Sequence, residues 1–375
     1  MRPESNAPAA QPERVAEIGE LGLLARIAAR VGPADGSVLV GIGDDTAALR
    51  PRPGTLVLLT TDALVEDVHF RRATSSAADV GWKALAINAS DIAAMGGAPR
   101  HAVISLMLPG NTEAGWVDGL YDGLLAMAGE AGIQVVGGNL AQAPVIIIDV
   151  ALLGDVEPDR LVRRSGARPG DLLAVTGTLG RAAAGLIALT QGMMDAVPRP
   201  TASRPTAPRP AGLAAGPPPD DQQALVARAI SAQRRPRPRL AAGRLLAAAG
   251  AVHAMIDLSD GLRLDLWRVC EASGVGVRVD ASRVPVDPCA AAVADAVGRD
   301  ALDLALAGGE DYELLFAVAP GEAGRALDSL AAETGLAAAI IGQFEPASAG
   351  RIILMDGVPR PLEPGGWTHF RGEAG

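Results

Sequence analysis

Among its 375 residues the chain has a single lysine, Lys83. A Walker A loop, GxxxxGK[ST], places a lysine after its second glycine. Lys83 stands instead in Gly-Trp-Lys-Ala-Leu, so that loop is excluded, and the Val-Ala-Ile-Lys and His-Arg-Asp set of protein kinases is absent too. Aromatic residues make up only 3%, too few for the stacking surfaces of single-strand nucleic-acid binders. The two cysteines, Cys270 and Cys289, have neither zinc nor redox spacing and read as reduced packing residues. Basic residues are outnumbered 33 to 43, a net charge of −10, which disfavours nucleic acid and anionic membranes as partners. The most apolar stretch, 145–153, is broken by Asp149 and too short to span a bilayer, and the Pro- and Ala-rich start carries no secretory run. A cytoplasmic protein is expected.

What is present is ample apolar material, 49% of the chain, with 20% charged residues, enough for a sizeable core. Residues Ile18, Leu21, Leu24, Ile27 and Ala28 are spaced for one helix face. Strand signals at 38–40, 56–60, 103–108, 172–176, 252–256 and 314–318 alternate with helical stretches near 78–95, which Ser75 or Ser76 would cap, and near 116–131. This alternation predicts an α/β (α+β) architecture. The expected organisation is a disordered tail over 1–15, an N-terminal domain over 16–158 and a C-terminal domain over 159–375. The second is interrupted at 195–221 by a Pro/Ala-rich insertion unable to bury enough apolar area to offset its ordering entropy.

Without a phosphate-binding lysine loop, a polyphosphate would have to be held by metal ions, arginines, backbone amides and helix N-termini. Acidic strings sit at element junctions: Gly41-Ile-Gly-Asp-Asp45, Thr60-Thr61-Asp62 at a strand end, Asn88 and Asp91 on one helix face, Asp257-Leu-Ser-Asp260-Gly, and Gly308-Gly-Glu-Asp-Tyr-Glu313. Each alone also reads as a turn or a cap, Asp260 as an N-cap. Together, with oxygen ligands and no His or Cys clusters, they suit Mg2+ and not zinc. Gly137-Gly-Asn139 reads as a turn or as a close backbone approach to a nucleotide. Lys83 reads as a surface lysine or as a point charge near the acidic residues; His101 and His253 read as structural.

These strings, in this order and with Thr60-Thr-Asp-Ala-Leu-Val65, His69-Phe70, 83–96 and Arg164-Ser-Gly-Ala-Arg-Pro-Gly-Asp171, resemble the thiamine-monophosphate kinases of the PurM-like superfamily of ATP-dependent enzymes. The resemblance runs from Gly19 to Phe370, leaving out the insertion. It implies a two-domain PurM-like fold, a homodimer formed through the N-terminal sheet, and direct transfer of the γ-phosphate of ATP to thiamine monophosphate, giving thiamine diphosphate. It also implies several Mg2+ ions on Asp45, Thr60, Thr61, Asp62, Asp91, Asn139, Asp257 and Asp260. ATP contacts would be Gly138, Asn139, Arg164 and Ser259, and substrate contacts His69, Glu310 and Trp367. No general base is implied. Where family members commonly have Gly-Gly-Asp-Thr-Thr, this chain has Gly-Gly-Asn139-Leu140-Ala141, an oxygen ligand without the charge. The alternatives are another PurM-like synthase, of the aminoimidazole-ribotide or selenophosphate type, and a non-catalytic nucleotide-binding homologue. No reactive cysteine stands near the N-terminus to support selenophosphate chemistry.

Overall fold

The computed structural model describes residues 12–193 and 222–366. The insertion at 195–221, Trp367 and residues 1–11 of the expected tail lie outside the described residues. The chain is tied down sooner than a tail over 1–15 implies, since Ala114 N donates to Glu13 O at 2.8 Å and Val15 N to Thr112 O at 2.9 Å. Contacts divide the chain into two units. Among the described residues the first holds 12–53, 59–88 and 99–154; the second holds those from 155 onward together with 54–58 and 89–98. A single cut along the sequence, as drawn at 158, does not describe these units, because 54–58 and 89–98 count with the second.

The first unit runs α1 (Val15–Val31), β1 (Val38–Val40), β2 (Ala48–Leu49), β3 (Leu56–Val65), α2 (Ala77–Ala94), β4 (Ala98–Leu108), α3 (Ala114–Ala131), β5 (Gln134–Gln142) and β6 (Ile147–Val156), the ends of some elements counting with the second unit. Its four-stranded sheet has the order β3-β6-β4-β5. Period-2 alternation gives that sheet one buried face, carrying Ile148, Val150 and Leu152 of β6 and Ala102, Ile104 and Leu106 of β4. Leu85 of α2 and Leu120 and Leu124 of α3 are fully buried as well. The opposite face is more exposed; Leu59 keeps 72% and Val103 39% of its surface.

Two details correct the sequence reading. Gly19 is non-helical (φ 68°, ψ 174°) and shifts the phase of α1, so Leu23 and Ile27 are buried while Leu21 is 82% exposed. Gly137-Gly-Asn139 lies inside β5 and is not a turn. Of the two candidate caps for α2, it is Ser76 whose Oγ accepts from Asp79 N at 3.2 Å, and Asp79 Oδ2 accepts in return from Ser76 N at 3.3 Å. The backbones of α2 and α3 touch where side chains are missing. A Cβ at Gly81 would lie 1.9 Å from Leu120 O, and one at Gly123 1.8 Å from Ala78 O.

The second unit comprises β7 (Leu172–Thr176), α4 (Arg181–Thr190), α5 (Gln222–Arg234), α6 (Leu240–Ala248), β8 (Val252–Asp257), α7 (Leu262–Ser273), β9 (Val275–Asp280), α8 (Pro288–Val297), α9 (Ala301–Ala307), β10 (Leu314–Val318), α10 (Pro320–Thr334), β11 (Ala338–Pro346), β12 (Arg351–Met355) and β13 (Val358–Pro361). Its seven-stranded sheet, β13-β12-β9-β11-β7-β10-β8, is antiparallel apart from the β9–β12 pair. The sheet separates two cores. Leu173, Val175, Leu315 and Ala317 point to the side of α7, while Ala174, Leu314, Phe316 and Val318 point to the side of α6 and α10. A smaller, Ala-rich core joins α4, α5 and α8. Both cysteines are free and fully buried, as packing residues should be.

Gly123→Ala forces α3 off the Ala78 backbone and is expected to cost about 2 kcal/mol or more in urea unfolding. Gly129→Ala, in the same helix with nothing within 4 Å of the new Cβ, is expected to stabilise by about 0.5–1 kcal/mol. Equal effects at the two sites would contradict the close helix crossing.

Candidate active site

In the first unit, Asp45 is exposed in the turn after β1, its N–H donating to Asp44 Oδ1 at 2.8 Å. Thr60, Thr61 and Asp62 do not end β3 as the sequence reading has it, because the strand continues to Val65. Alternation therefore puts Thr60 and Asp62 on the side of buried Leu64 and Thr61 on the exposed face, where its Oγ1 donates to Asp149 Oδ1 at 2.7 Å. His69 Nδ1 accepts from Val65 N at 3.1 Å, so the neutral ring carries its proton on Nε2. Gly138 has no room for a side chain, since a Cβ would lie 2.1 Å from Ile104 O, and Asn139 is exposed opposite Ser105. In α2, Lys83 is buried at 3% exposure, which overturns the surface-lysine reading. Asn88 is fully buried; its Nδ2 donates to Ala84 O at 3.0 Å and its Oδ1 has no hydrogen-bond partner.

In the second unit, Asp91 is half-buried near the end of α2, and the preceding Ser90 donates to Asp257 Oδ2 at 2.6 Å. This bond satisfies a carboxylate only 5% exposed at the end of β8. Asp260 is not the N-cap of α7. That position is Gly261, and the cap is supplied from within the helix by Asp265 Oδ2, which accepts from Asp260 N at 3.0 Å and Gly261 N at 3.1 Å. The Asp260 carboxylate instead pairs with Arg268 at 2.6 Å. Arg164 is exposed in the loop before β7. His253 is structural, its Nδ1 2.8 Å from Asp171 Oδ2, and His101 Nε2 lies 2.8 Å from Ser37 Oγ.

The 308–313 loop is stitched to the Asp257–Asp260 turn by Glu310 N to Ser259 O at 2.8 Å and Tyr312 N to Leu258 O at 2.9 Å. Glu310 (φ 69°) and Tyr312 (φ 50°) adopt left-handed conformations that cost free energy and persist only where the surroundings enforce them. Gln233, itself buried, donates to Glu310 Oε2 at 2.7 Å. Glu313 accepts from Thr176 Oγ1 at 2.6 Å and Arg239 Nε at 2.8 Å. Glu310 and Glu313 line a cleft of about 240 Å³ with Arg181, Arg228, Arg235 and Arg239. Asp311 caps α4 by accepting from Gly180 N at 2.6 Å and Ala182 N at 3.1 Å. Burial pushes its carboxyl up to about 7, against those two donors, which favour the ionised form.

Sequence reasoning missed Gln233, Arg239, Ser90 and Asp149. The first two lie in or beside the Arg234-Arg-Pro-Arg-Pro-Arg239 run, a usable signal; Ser90 had none beyond its place before Asp91. Among the described residues, no group of three or more His, Cys, Asp or Glu side chains is gathered closely enough to hold a metal ion.

Comparison with known proteins matches residues 43–156 to the AIR synthase related protein N-terminal domain and 168–355 to the AIR synthase related protein C-terminal domain. Thiamine-monophosphate kinase of Salmonella typhimurium is 35% identical over 352 residues, covering 94% of this chain and 98% of that protein. The chain belongs to the thiamine-monophosphate kinase family. Among solved structures of this family, the Stenotrophomonas maltophilia enzyme superposes with a TM-score of 0.72 at 34% identity, covering 88% of this chain and 95% of its own. AaThiL, complexed with AMPPCP and TMP, does so with a TM-score of 0.68 at 31% identity, covering 96% and 100%. The two-domain PurM-like architecture expected from the sequence is thus that of the family.

The Asp311 carboxyl yields a pH prediction. Its native pKa, about 7, lies above the ordinary 3.8, so the native state binds the proton more tightly; the stability this contributes is present below about 4 and lost as pH rises through about 7. Urea midpoints of the parent are expected to fall between pH about 4 and about 7 relative to those of Asp311→Asn, which lacks that contribution. An unchanged slope would contradict the assignment.

Proposed function

We propose that this chain transfers the γ-phosphate of ATP to thiamine monophosphate, giving thiamine diphosphate and ADP by direct in-line transfer. The observation that carries the reading is family membership over nearly the whole chain. A phosphate monoester is mostly dianionic at neutral pH, its second pKa being about 6, so the attacking oxygen needs no general base. The protein's work is then positioning and charge stabilisation.

The donor chemistry suits Mg2+, although among the described residues no three carboxylates gather closely enough to hold an ion by themselves. The donors proposed are oxygens only: Asp45, Thr60, Thr61, Asp62 and Asn139 in the first unit, Asp91, Asp257 and Asp260 in the second. The buried Oδ1 of Asn88, without a hydrogen-bond partner, is a further hard acceptor three residues before Asp91. When bound, the ions would neutralise charge on the transferring phosphoryl oxygens. Ser90 fixes the Asp257 carboxylate, and Arg268 holds Asp260 in place. Gly138, Asn139, Arg164 and Ser259 are assigned to ATP; the glycine lets backbone, in place of a side chain, line the approach. His69, with its proton on Nε2, is a donor to a substrate oxygen. Glu310, held by Gln233 in a strained conformation, offers an acceptor and a negative charge to the cationic, amine-bearing thiamine moiety. Trp367, outside the described residues, is assigned to the same substrate.

The exposed apolar side chains of Leu59 and Val103 support a homodimer formed through part of the first unit's sheet. No helix among the described residues is long and apolar enough to cross a membrane, in keeping with a cytoplasmic enzyme.

Turnover of thiamine monophosphate with Mg-ATP tests the reading directly; binding of both without product would favour the non-catalytic homologue. Asp62→Asn and Asp91→Asn are expected to keep the fold and lose about 1,000-fold or more in kcat, together with the thermal stabilisation by Mg-ATP. If Asp91→Asn unfolds the protein while Mg-ATP still stabilises the surviving fraction, Asp91 is structural. Sedimentation at micromolar concentration is expected to give a dimer, and a monomer would contradict the interface.

A further inference from the structure

Asp149 interrupts the most apolar strand of the first unit. Its neighbours Ile148 and Val150 are fully buried on one face of β6, so alternation sets the Asp149 carboxylate on the other, exposed face. Among the described residues, its one hydrogen-bond partner is Thr61 Oγ1, which donates to Oδ1 at 2.7 Å, and no arginine, lysine or histidine pairs with it. Asn139 stands on this same face, since it is in register with Ser105, which lies between the buried Ile104 and Leu106 of β4. Only β4 separates the strand of Asp149 from the strand of Asn139. A carboxylate without a cationic partner among the described residues, bonded to a proposed metal ligand on the sheet face that also carries the uncharged amide of Asn139, is a charge placed for a cation that the protein itself does not provide.

We propose that Asp149 is a positioning residue for Mg2+. It accepts the Thr61 hydroxyl hydrogen, which turns the Oγ1 lone pairs outward, and it supplies to that sheet face the negative charge that Asn139 does not carry. The inference rests on the metal-binding part of the proposed function. It concerns no step of the transfer itself.

The test is a thermal-shift titration of Mg2+ on the full chain with a saturating non-hydrolysable ATP analogue and no thiamine monophosphate. Asp149→Asn keeps an acceptor for Thr61 and removes only the charge. It is expected to raise the Mg2+ midpoint by about tenfold or more, with the metal-free melting temperature unchanged or higher. Adding Asn139→Asp to Asp149→Asn is expected to bring the midpoint back to within about threefold of the parent. Asp149→Ser, run in parallel, removes the same charge should the first variant fold poorly. A midpoint within about twofold of the parent in the folded charge-removal variants, or no recovery on adding Asn139→Asp, overturns the role of Asp149 and leaves the metal reading standing. A parent that shows no Mg2+-dependent stabilisation overturns both.

Discussion

Burying a carboxylate in a core of Ala, Val, Leu and Ile is costly unless each oxygen finds a donor, and that requirement shapes the second unit. Asp171, Asp257, Asp265, Asp287 and Glu313 are all 5% exposed or less. Each is answered. Asp171 meets His253, Asp257 meets Ser90, and Asp265 takes two backbone N–H groups and Arg268. Asp287 takes Arg181 and Cys289 N, and Glu313 takes Thr176 and Arg239. The partners of Asp265 are local, but Asp171, Asp257, Asp287 and Glu313 each take a partner from a distant part of the chain, and those bonds fix strand ends and helix starts relative to one another. The 308–313 loop can hold its two left-handed residues because it is anchored on both sides in this way.

Glu313, Asp171 and Asp287 are committed to internal partners and serve the fold. Asp45 and Asp62 are exposed, and Asp91 and Asp149 are half-buried. At an effective dielectric of 20, two such charges about 5 Å apart repel by about 3 kcal/mol, a cost that a bound divalent cation reverses in sign. On the proposed function, the charge excess of the sequence, −10, serves cation binding as well as solubility.

Asp45, Asp257, Asp260 and Glu310 were legible because they sit at element junctions, where turn chemistry and ligand chemistry use the same residue types, whereas Thr60, Thr61, Asp62, Asp91 and Asn139 lie inside elements. The strands at 172–176 and 314–318 and the long helix α2 follow from period-2 and period-3.6 patterns. The phase of α1 was not legible, because a positive-φ glycine inside a helical pattern leaves the composition unchanged. Gly137-Gly-Asn139 was ambiguous because two adjacent glycines signal a turn as readily as a strand pressed against its neighbour. Asp260 failed as a cap because its competitor, Asp265, reaches the same amides from inside the helix, a contact between residues five apart that no local rule anticipates. Gln233 and Ser90 became visible only as partners, since neither has a charge to announce it.

In the proposed function the aspartates bind and position metal ions, and none attacks phosphorus. That claim is tested most directly by the stereochemical course of transfer from ATP made chiral at the γ-phosphorus with oxygen isotopes. One in-line displacement by the substrate phosphate predicts inversion of configuration. Retention would mean two displacements through a phosphorylated side chain, and would contradict the assignment of the carboxylates as ligands.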